Sequence, residues 1–402
     1  MNAPDYQVTL GRKIAGQRRR RGLSQPELAR MIDRSVAWVS QVERGVRKVD
    51  RMSVLETLAT ALDMPLSELA ADAPVVAAVN EALPGTAGLR LVLSGAWSLR
   101  AMLNGRHAPS PAEMRAKADR AWTLTREGRY ADLADLLRDL VPELESGARA
   151  VAETERAGLF ELLAAAYQAC SAALAELDEP DAAWIAADRG MAAAERAGSP
   201  LLVAAGAFRL VIVFLGARYY TQAEETARTA ADALWHIADG GTPEAMSMWG
   251  ALTLQRAVVA AHLGDAAAAY GYLDRARLVA GQVGPGRNDY NTEFGPANLA
   301  LYEIAVAVEL GDAGRALRAA GTVDVSGLSA ERRARMFIDV ARAHAQRRQV
   351  AQAVEALRQA EDLAPEQVHA HALVRQVVAD LFAMQNPASP ELAALSQRIA
   401  IS

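Results

Sequence analysis

Cysteine is almost absent from the chain: Cys170 stands alone among 402 residues. That excludes an intramolecular disulfide and a thiolate metal cluster, and fits a reducing compartment. Lysine is nearly missing too, with only Lys13, Lys48 and Lys117 among 43 basic residues, a compositional bias rather than a functional demand. The start, Met1 to Leu10, is polar and no apolar h-region follows it, so no secretory signal is expected. The most apolar long stretch, Leu201 to Gly216, is interrupted by Arg209 and falls short of the ~20 residues that span a bilayer. A cytoplasmic protein with no membrane partner is the expectation.

Catalytic signatures are missing as well. No Walker, nucleophile-elbow or HExxH motif occurs, and the G-x-G within Gly281 to Gly286 lacks a preceding strand and the rest of a dinucleotide fingerprint. His369 and His371 are two apart, which on a helix puts them on different faces and argues against a metal or acid–base pair. Carboxylates are abundant, but they sit on helix faces where solvation accounts for them. Neither an enzyme nor a cofactor or metal site is expected.

What remains is ordinary globular composition, 51% apolar and 23% charged, in a chain long enough for two or more domains. The net charge of −5 conceals an asymmetry. Between Leu10 and Arg51 there are twelve basic and four acidic residues, a net of +8, and the remainder carries −13. A basic head on an acidic body is the electrostatic footprint of a nucleic-acid-binding domain joined to something else, though a basic solvated face would look the same.

The order of signals in the head is more informative. Leu10 to Arg21 has helical spacing, with Leu10, Ile14 and the stem of Arg18 on one side, and stops at Gly22. Ser24 and Glu27 form a capping box for a helix over Gln25 to Ile32 that buries Leu28, Ala29 and Ile32. After a turn at Asp33-Arg34, Ser35 caps a third helix, Val36 to Arg44, ended by Gly45. Met52 to Leu62 and Pro65 to Leu69 read as two more short helices, burying Leu55, Leu58, Leu62, Leu66 and Leu69. The second and third helices, joined by a tight turn, make a helix-turn-helix.

The run LSQPELARMIDRSVAWVSQVERG, Leu23 to Gly45, resembles the phage-repressor/Cro-type (XRE) family of DNA-binding domains, over Leu10 to Ala70. The resemblance implies that Gln25 touches a phosphate, that Val36, Ala37 and Gln41 face base edges, and that Arg44, Arg47 and Lys48 contact backbone. Arg18 and Glu43 match the family's structural salt bridge. Gln41 can pair with an adenine edge, and Val36 or Ala37 can sit on a thymine methyl. Trp38 either packs on the sugar–phosphate backbone or fills a gap at the domain surface.

Ala71 to Gly88 reads as a linker with one weak helical turn, and Leu89 to Asn104 as a connecting helix burying Leu91, Trp97 and Leu103. From Ala112 no strand-like alternation appears. Alanine-rich amphipathic helices pair around turns at Gly128-Arg129, Asp178 to Asp181, Gly216 to Tyr220, Gly264-Asp265, Gly311-Asp312 and Arg347 to Val350. These resemble tetratricopeptide repeats of irregular length, and a helical bundle would also place alanine at crossings. The expected fold is all-α. A helix-turn-helix domain (1–70) is followed by a linker and connecting helix (71–111) and an α-solenoid of repeat-like helix pairs (112–402) with a long concave face.

The most informative stretch of the body is NDYNTEFGPANLALYEIAVAVEL, Asn288 to Leu310. Asn298, Tyr302 and Ala305 share a helix face, and asparagine there either caps the helix or offers donor and acceptor to a polar ligand. The whole combination resembles quorum-sensing regulators that bind signalling peptides in a repeat groove. A tentative effector site therefore comprises Asn291, Asn298 and Tyr302, with Arg256 and Trp249 as neighbours. Two readings follow. One is a homodimeric transcriptional regulator that binds a double-stranded operator and senses a small peptide or metabolite. The other is a DNA-tethered scaffold whose repeats bind another protein without any small ligand.

Overall fold

A computed structural model describes residues 3–32, 34–47, 49, 52–62, 64, 69, 84–94, 110–239, 241–385 and 388–399. They fall into two compact units, Met1–Ala82 and Leu83–Ser402. All regular structure among the described residues is helical.

The first unit contains α1 (Ala3–Arg20), α2 (Gln25–Met31), α3 (Val36–Glu43) and α4 (Met52–Leu62). Its core is Leu10, Ile14, Leu28, Val39, Leu58 and Leu62 with their neighbours. Helix α1 starts at Ala3, well before the expected Leu10, because its first turns are too polar to register as an apolar period. The capping box at α2 is complete: Glu27 N–H donates to Ser24 Oγ (3.3 Å) and Ser24 N–H to Glu27 Oε2 (2.7 Å). Ser35 Oγ accepts from the Trp38 N–H at the start of α3. A Cβ on Gly11 would stand 2.4 Å from the Val42 carbonyl oxygen, so α1 and α3 meet backbone to backbone. Of the expected fifth helix, only Leu69 is described, and it is buried; Leu66 lies outside the described residues.

The second unit opens with α5 (Pro84–Val92) and continues through α6 (Pro111–Arg126), α7 (Tyr130–Ala150), α8 (Glu153–Glu176) and α9 (Pro180–Ala197). Then come α10 (Pro200–Gly216), α11 (Tyr220–Asp239), α12 (Pro243–His262), α13 (Ala266–Val283), α14 (Pro296–Glu309) and α15 (Ala313–Ala320). The unit ends with α16 (Ala330–Gln346), α17 (Val350–Leu363), α18 (Pro365–Ala370), α19 (Ala372–Met384) and α20 (Pro390–Arg398). Two expectations for the connecting region are corrected. Pro84 to Gly88 is helical rather than linker, and Leu91 is 56% exposed, since the inward spacing is Leu89, Val92 and Leu93. Trp97 and Leu103 lie outside the described residues.

Six helix pairs, α6/α7 to α16/α17, share one turn. Each first helix ends at a residue in the left-handed region: Gly128, Asp178, Arg218, Gly264, Gly311 or Arg348. The next N–H in every case bonds back into the last turn, as Arg129 does to the Leu124 carbonyl and Gln349 to that of His344. This is the Schellman closure, which satisfies carbonyls that a helix end leaves orphaned. Packing between paired helices relies on small residues: α9 buries Ala183, Ala186, Ala187 and Gly190 against α8. Helix α8, not Leu201 to Gly216, has the length and hydropathy of a spanning segment, and 72% of that stretch is buried inside the protein as a core helix.

The superhelix turns tightly enough for its last helices to reach its first. Glu176, ending α8, accepts from Gln367 Nε2 (2.7 Å) and faces Arg335 of α16 (3.4 Å). Glu366 accepts the N–H of Ala131, and Arg375 pairs with Asp178 at 2.5 Å. Several polar residues of the unit, among them Arg209, Gln255, Asn298 and Gln367, are buried.

Candidate DNA-reading helix and a buried polar interior

Helix α3 has an inner and an outer side. Val39 and Val42 are buried in the core of the first unit, whereas Val36 (43% exposed) and Ala37 face out and Gln41 is half-buried. Trp38 is half-buried against the same core, with the Arg34 guanidinium 5.9 Å from its ring centroid. Arg44 and Arg47, beyond the helix, are exposed; Lys48 lies outside the described residues.

The helix is locked from behind. Arg18 Nε donates to Glu43 Oε1 (2.5 Å), Arg18 Nη2 to Glu43 Oε2 (2.9 Å), and Arg18 Nη1 to the Leu23 carbonyl (2.7 Å). This ties α1, the start of α2 and the end of α3 together. Burial works to raise the Glu43 pKa, but the hydrogen bonds from Arg18 and Gln25 outweigh it and hold the carboxyl below its ordinary value. The side-chain amide of Gln25 is spent here, donating to Glu43 Oε2 at 2.8 Å.

In the second unit, the sequence between α13 and α14 forms a strap through the interior. Tyr290, Asn291 and Glu293 all have positive φ (51°, 56° and 53°), a conformation that costs non-glycine residues about 1–3 kcal/mol each unless the surroundings impose it. Here they do. Arg126 of α6 donates to Asn291 Oδ1 (2.5 Å), and Arg209 of α10 donates to the Asn291 carbonyl (2.7 Å). Asn298 Nδ2 donates to the Thr292 carbonyl (3.1 Å), and the Ser329 N–H donates to the Glu293 carboxylate. Phe294 is seated against Gly250 of α12, where a Cβ would stand 2.1 Å from the ring.

Asn298 is 2% exposed and lies inside α14, so it reaches back to the strap instead of capping the helix. Tyr302, one turn on, is 9% exposed and its hydroxyl accepts from Gln255 Nε2 at 2.9 Å. The structure thus gathers Asn291, Asn298 and Tyr302 around the strap, but not the two expected neighbours. Arg256 is committed to Glu224 (2.5 Å) and the Tyr272 hydroxyl (2.6 Å), and Trp249 packs its ring 5.6 Å from that of Trp235. Gln255, one position from Arg256 and about 100° round the helix, supplies the inward contact.

Sequence reasoning passed over the charged residues of this interior. Arg209 is 4% exposed, and burial pulls its pKa down to about 10, with repulsion from Arg332 adding to the effect. Glu331 lies on α16 beside Arg332, and burial pushes its carboxyl well above the usual range. His371, whose Nε2 is 3.0 Å from Arg335 Nη1, is held down to about 3 by burial and by that cation. The available signal was Arg209 itself, a lone charge in an otherwise apolar helix.

Among the described residues, a helix-turn-helix precedes paired helices along the chain. Residues 9–71 match the family model described as a helix-turn-helix domain. No curated protein matches the chain. Among solved structures, the crystal structure of Bacillus thuringiensis PlcR in complex with the peptide PapR7 and DNA is similar at 14% identity, over 68% of this chain and 94% of that one, with a TM-score of 0.27.

Proposed function

We propose that the chain is a cytoplasmic, sequence-specific DNA-binding transcription regulator whose repeat unit dimerises and responds to a small effector, a peptide or a metabolite. The observation that carries the DNA-binding reading is α3, anchored by Val39, Val42 and the Arg18–Glu43 pair while Val36 and Ala37 face outward and Gln41 is half-buried. In the major groove Gln41 reads an adenine edge and Val36 and Ala37 meet thymine methyls. Arg44, Arg47 and Lys48 neutralise phosphates, and Trp38 and the start of α2 at Gln25 lie along the backbone. One such domain binds weakly; two, on half-sites about 34 Å apart, bind well, which is the argument for a homodimer on a double-stranded operator.

The effector reading rests on the strap and its partners Asn291, Asn298 and Tyr302. The burial of Asn298 and Tyr302 favours a small ligand over a protein docked on a scaffold, because a protein partner needs an accessible surface.

Operator selected from random duplexes provides the test. Affinity should fall steeply with salt, and Arg47→Ala should weaken all sequences alike. Gln41→Ala should erode discrimination at one base position by about 1–3 kcal/mol. Unchanged specificity in Gln41→Ala would remove α3 from the groove. For the effector site, Asn298→Ala with Tyr302→Phe should abolish the effector response at unchanged basal operator affinity; a double variant that unfolds instead would make both residues structural.

A further inference from the structure

The first helices of the six pairs, α6, α8, α10, α12, α14 and α16, pack on one another in that order, and α16 returns to α6. The strap between α13 and α14 is gripped by members of this ring. Arg126 of α6 and Arg209 of α10 reach the same residue, Asn291, at 2.5 and 2.7 Å, although α8 stands between those two helices in the order. Gly250 of α12 seats Phe294, and Asn298 of α14 holds the Thr292 carbonyl at 3.1 Å. The N–H of Ser329, the N-cap of α16, donates to the Glu293 carboxylate at 3.1 Å. Tyr290 packs against two separate core clusters, one built mainly on α5–α9 and the other on α10–α14.

A short segment held at once by five helices far apart in the chain lies on the inner side of their ring, the side on which repeat superhelices take their ligands. Two of the grips fall on main-chain carbonyls, which any extended peptide carries. Both are incomplete: Asn298 Oδ1 and Arg209 Nε are buried without a hydrogen-bond partner. The strap is also hinged and strained. Gly284 and Gly286 precede it with positive φ (78° and 83°), Gly295 follows it, and Tyr290, Asn291 and Glu293 hold a left-handed conformation that L-amino acids avoid. Gly286 and Asn288 are exposed, so its entry end meets solvent. Departure would relieve the strain and uncover groups fitted to another peptide chain, while the burial of Phe294 and the two arginine contacts favour staying.

We infer that residues 288–294 are a resident competitor: they occupy the inner face of the ring, and an extended peptide binds there by taking the strap's place between the hinges at Gly286 and Gly295. The regulatory meaning of this exchange rests on the effector reading, but the exchange of occupants is testable without DNA.

The probe is the strap's own sequence as a free, fluorescently labelled peptide, acetyl-NDYNTEF-amide, titrated with the full chain and read by anisotropy. Phe294→Ala should release the strap and leave the seat at Gly250 intact. Hydrogen exchange across 288–293 should then rise with α8 and α12 still protected, and the peptide should bind. The wild type should bind it at least about tenfold more weakly, since only molecules with the strap out can take it. A scrambled peptide, acetyl-ETNDFYN-amide, should bind neither protein. Adding Gly250→Ala to Phe294→Ala blocks the seat, and adding Arg209→Met removes a carbonyl grip; either should abolish binding. If Phe294→Ala does not fold, Arg126→Ala, which removes one half-buried side chain, carries the same comparison. Equal binding to wild type and released variant, binding to neither, unchanged exchange across 288–293, or binding that survives Gly250→Ala would overturn the inference. Peptide binding that leaves operator affinity unchanged would instead break the effector reading and leave the competition standing.

Discussion

Arginine is used in opposite ways in the two units. In the first, Arg30, Arg44 and Arg47 stand in solvent on and beyond α2 and α3, and among the described residues the one buried arginine, Arg18, is paired with Glu43. In the second, Arg209 is drawn into the interior, where it holds the Asn291 carbonyl, and the half-buried Arg335 meets the Glu176 carboxylate and a histidine ring. Exposed arginines attract any polyanion and lose that attraction as salt screens them. Buried ones act over a few ångströms, are little screened, and discriminate by geometry. One residue type therefore stands in solvent in the first unit and is held in fixed contacts in the second.

The sharpest way to break this contrast is to unpair the one buried arginine of the head. Glu43→Ala leaves the Arg18 guanidinium with the Leu23 carbonyl alone and frees Gln25. It should cost the first unit about 3 kcal/mol, seen as faster amide exchange in α1–α3 with α8 and α12 unchanged. Equal exchange in Glu43→Ala and wild type would mean that apolar packing alone holds α3. A smaller effect is expected where the body is braced by packing rather than charge. Gly250→Ala drives a methyl into the Phe294 ring and should cost about 1–3 kcal/mol, releasing exchange protection across 288–294 while operator binding persists.

The smallest effect is a gain. Arg218 occupies a left-handed position that Gly128, Gly264 and Gly311 fill in sister turns, and Arg218→Gly should relieve roughly 1 kcal/mol of backbone strain. Its melting temperature should rise. Asp178→Gly should gain less, because it also gives up the ion pair with Arg375. If both variants lose stability, the turn is held by those side chains rather than by its backbone.

The head was legible because its signals are local. Ser24 with Glu27, Ser35, and the glycines at 22 and 45 each punctuate the chain within four residues of what they control. The six turns of the body were legible for the same reason. The polar interior was not. Whether Asn298 caps a helix or grips a carbonyl depends on a strap whose fold is imposed by Arg126 and Arg209, 165 and 82 residues away from Asn291. Arg256 and Gln255 differ by one position on α12, and only the packing of α11 and α14 decides which of them turns inward. Leu91 failed for a simpler reason: the helix starts at Pro84 rather than Leu89, and its inward face runs through Leu89, Val92 and Leu93.

The contact of the last helices with Glu176 and Asp178 has a consequence for how such a chain can change over generations. An open stack of repeats can gain or lose a unit at either end, since each unit touches only its neighbours. A stack whose end returns to its beginning cannot, because one pair more or fewer would carry Gln367, Arg335 and Arg375 past the partners they meet. The number of pairs is then fixed by closure, much as the number of staves is fixed by the width of a cask, and lasting variation is confined to the turns and to the strap.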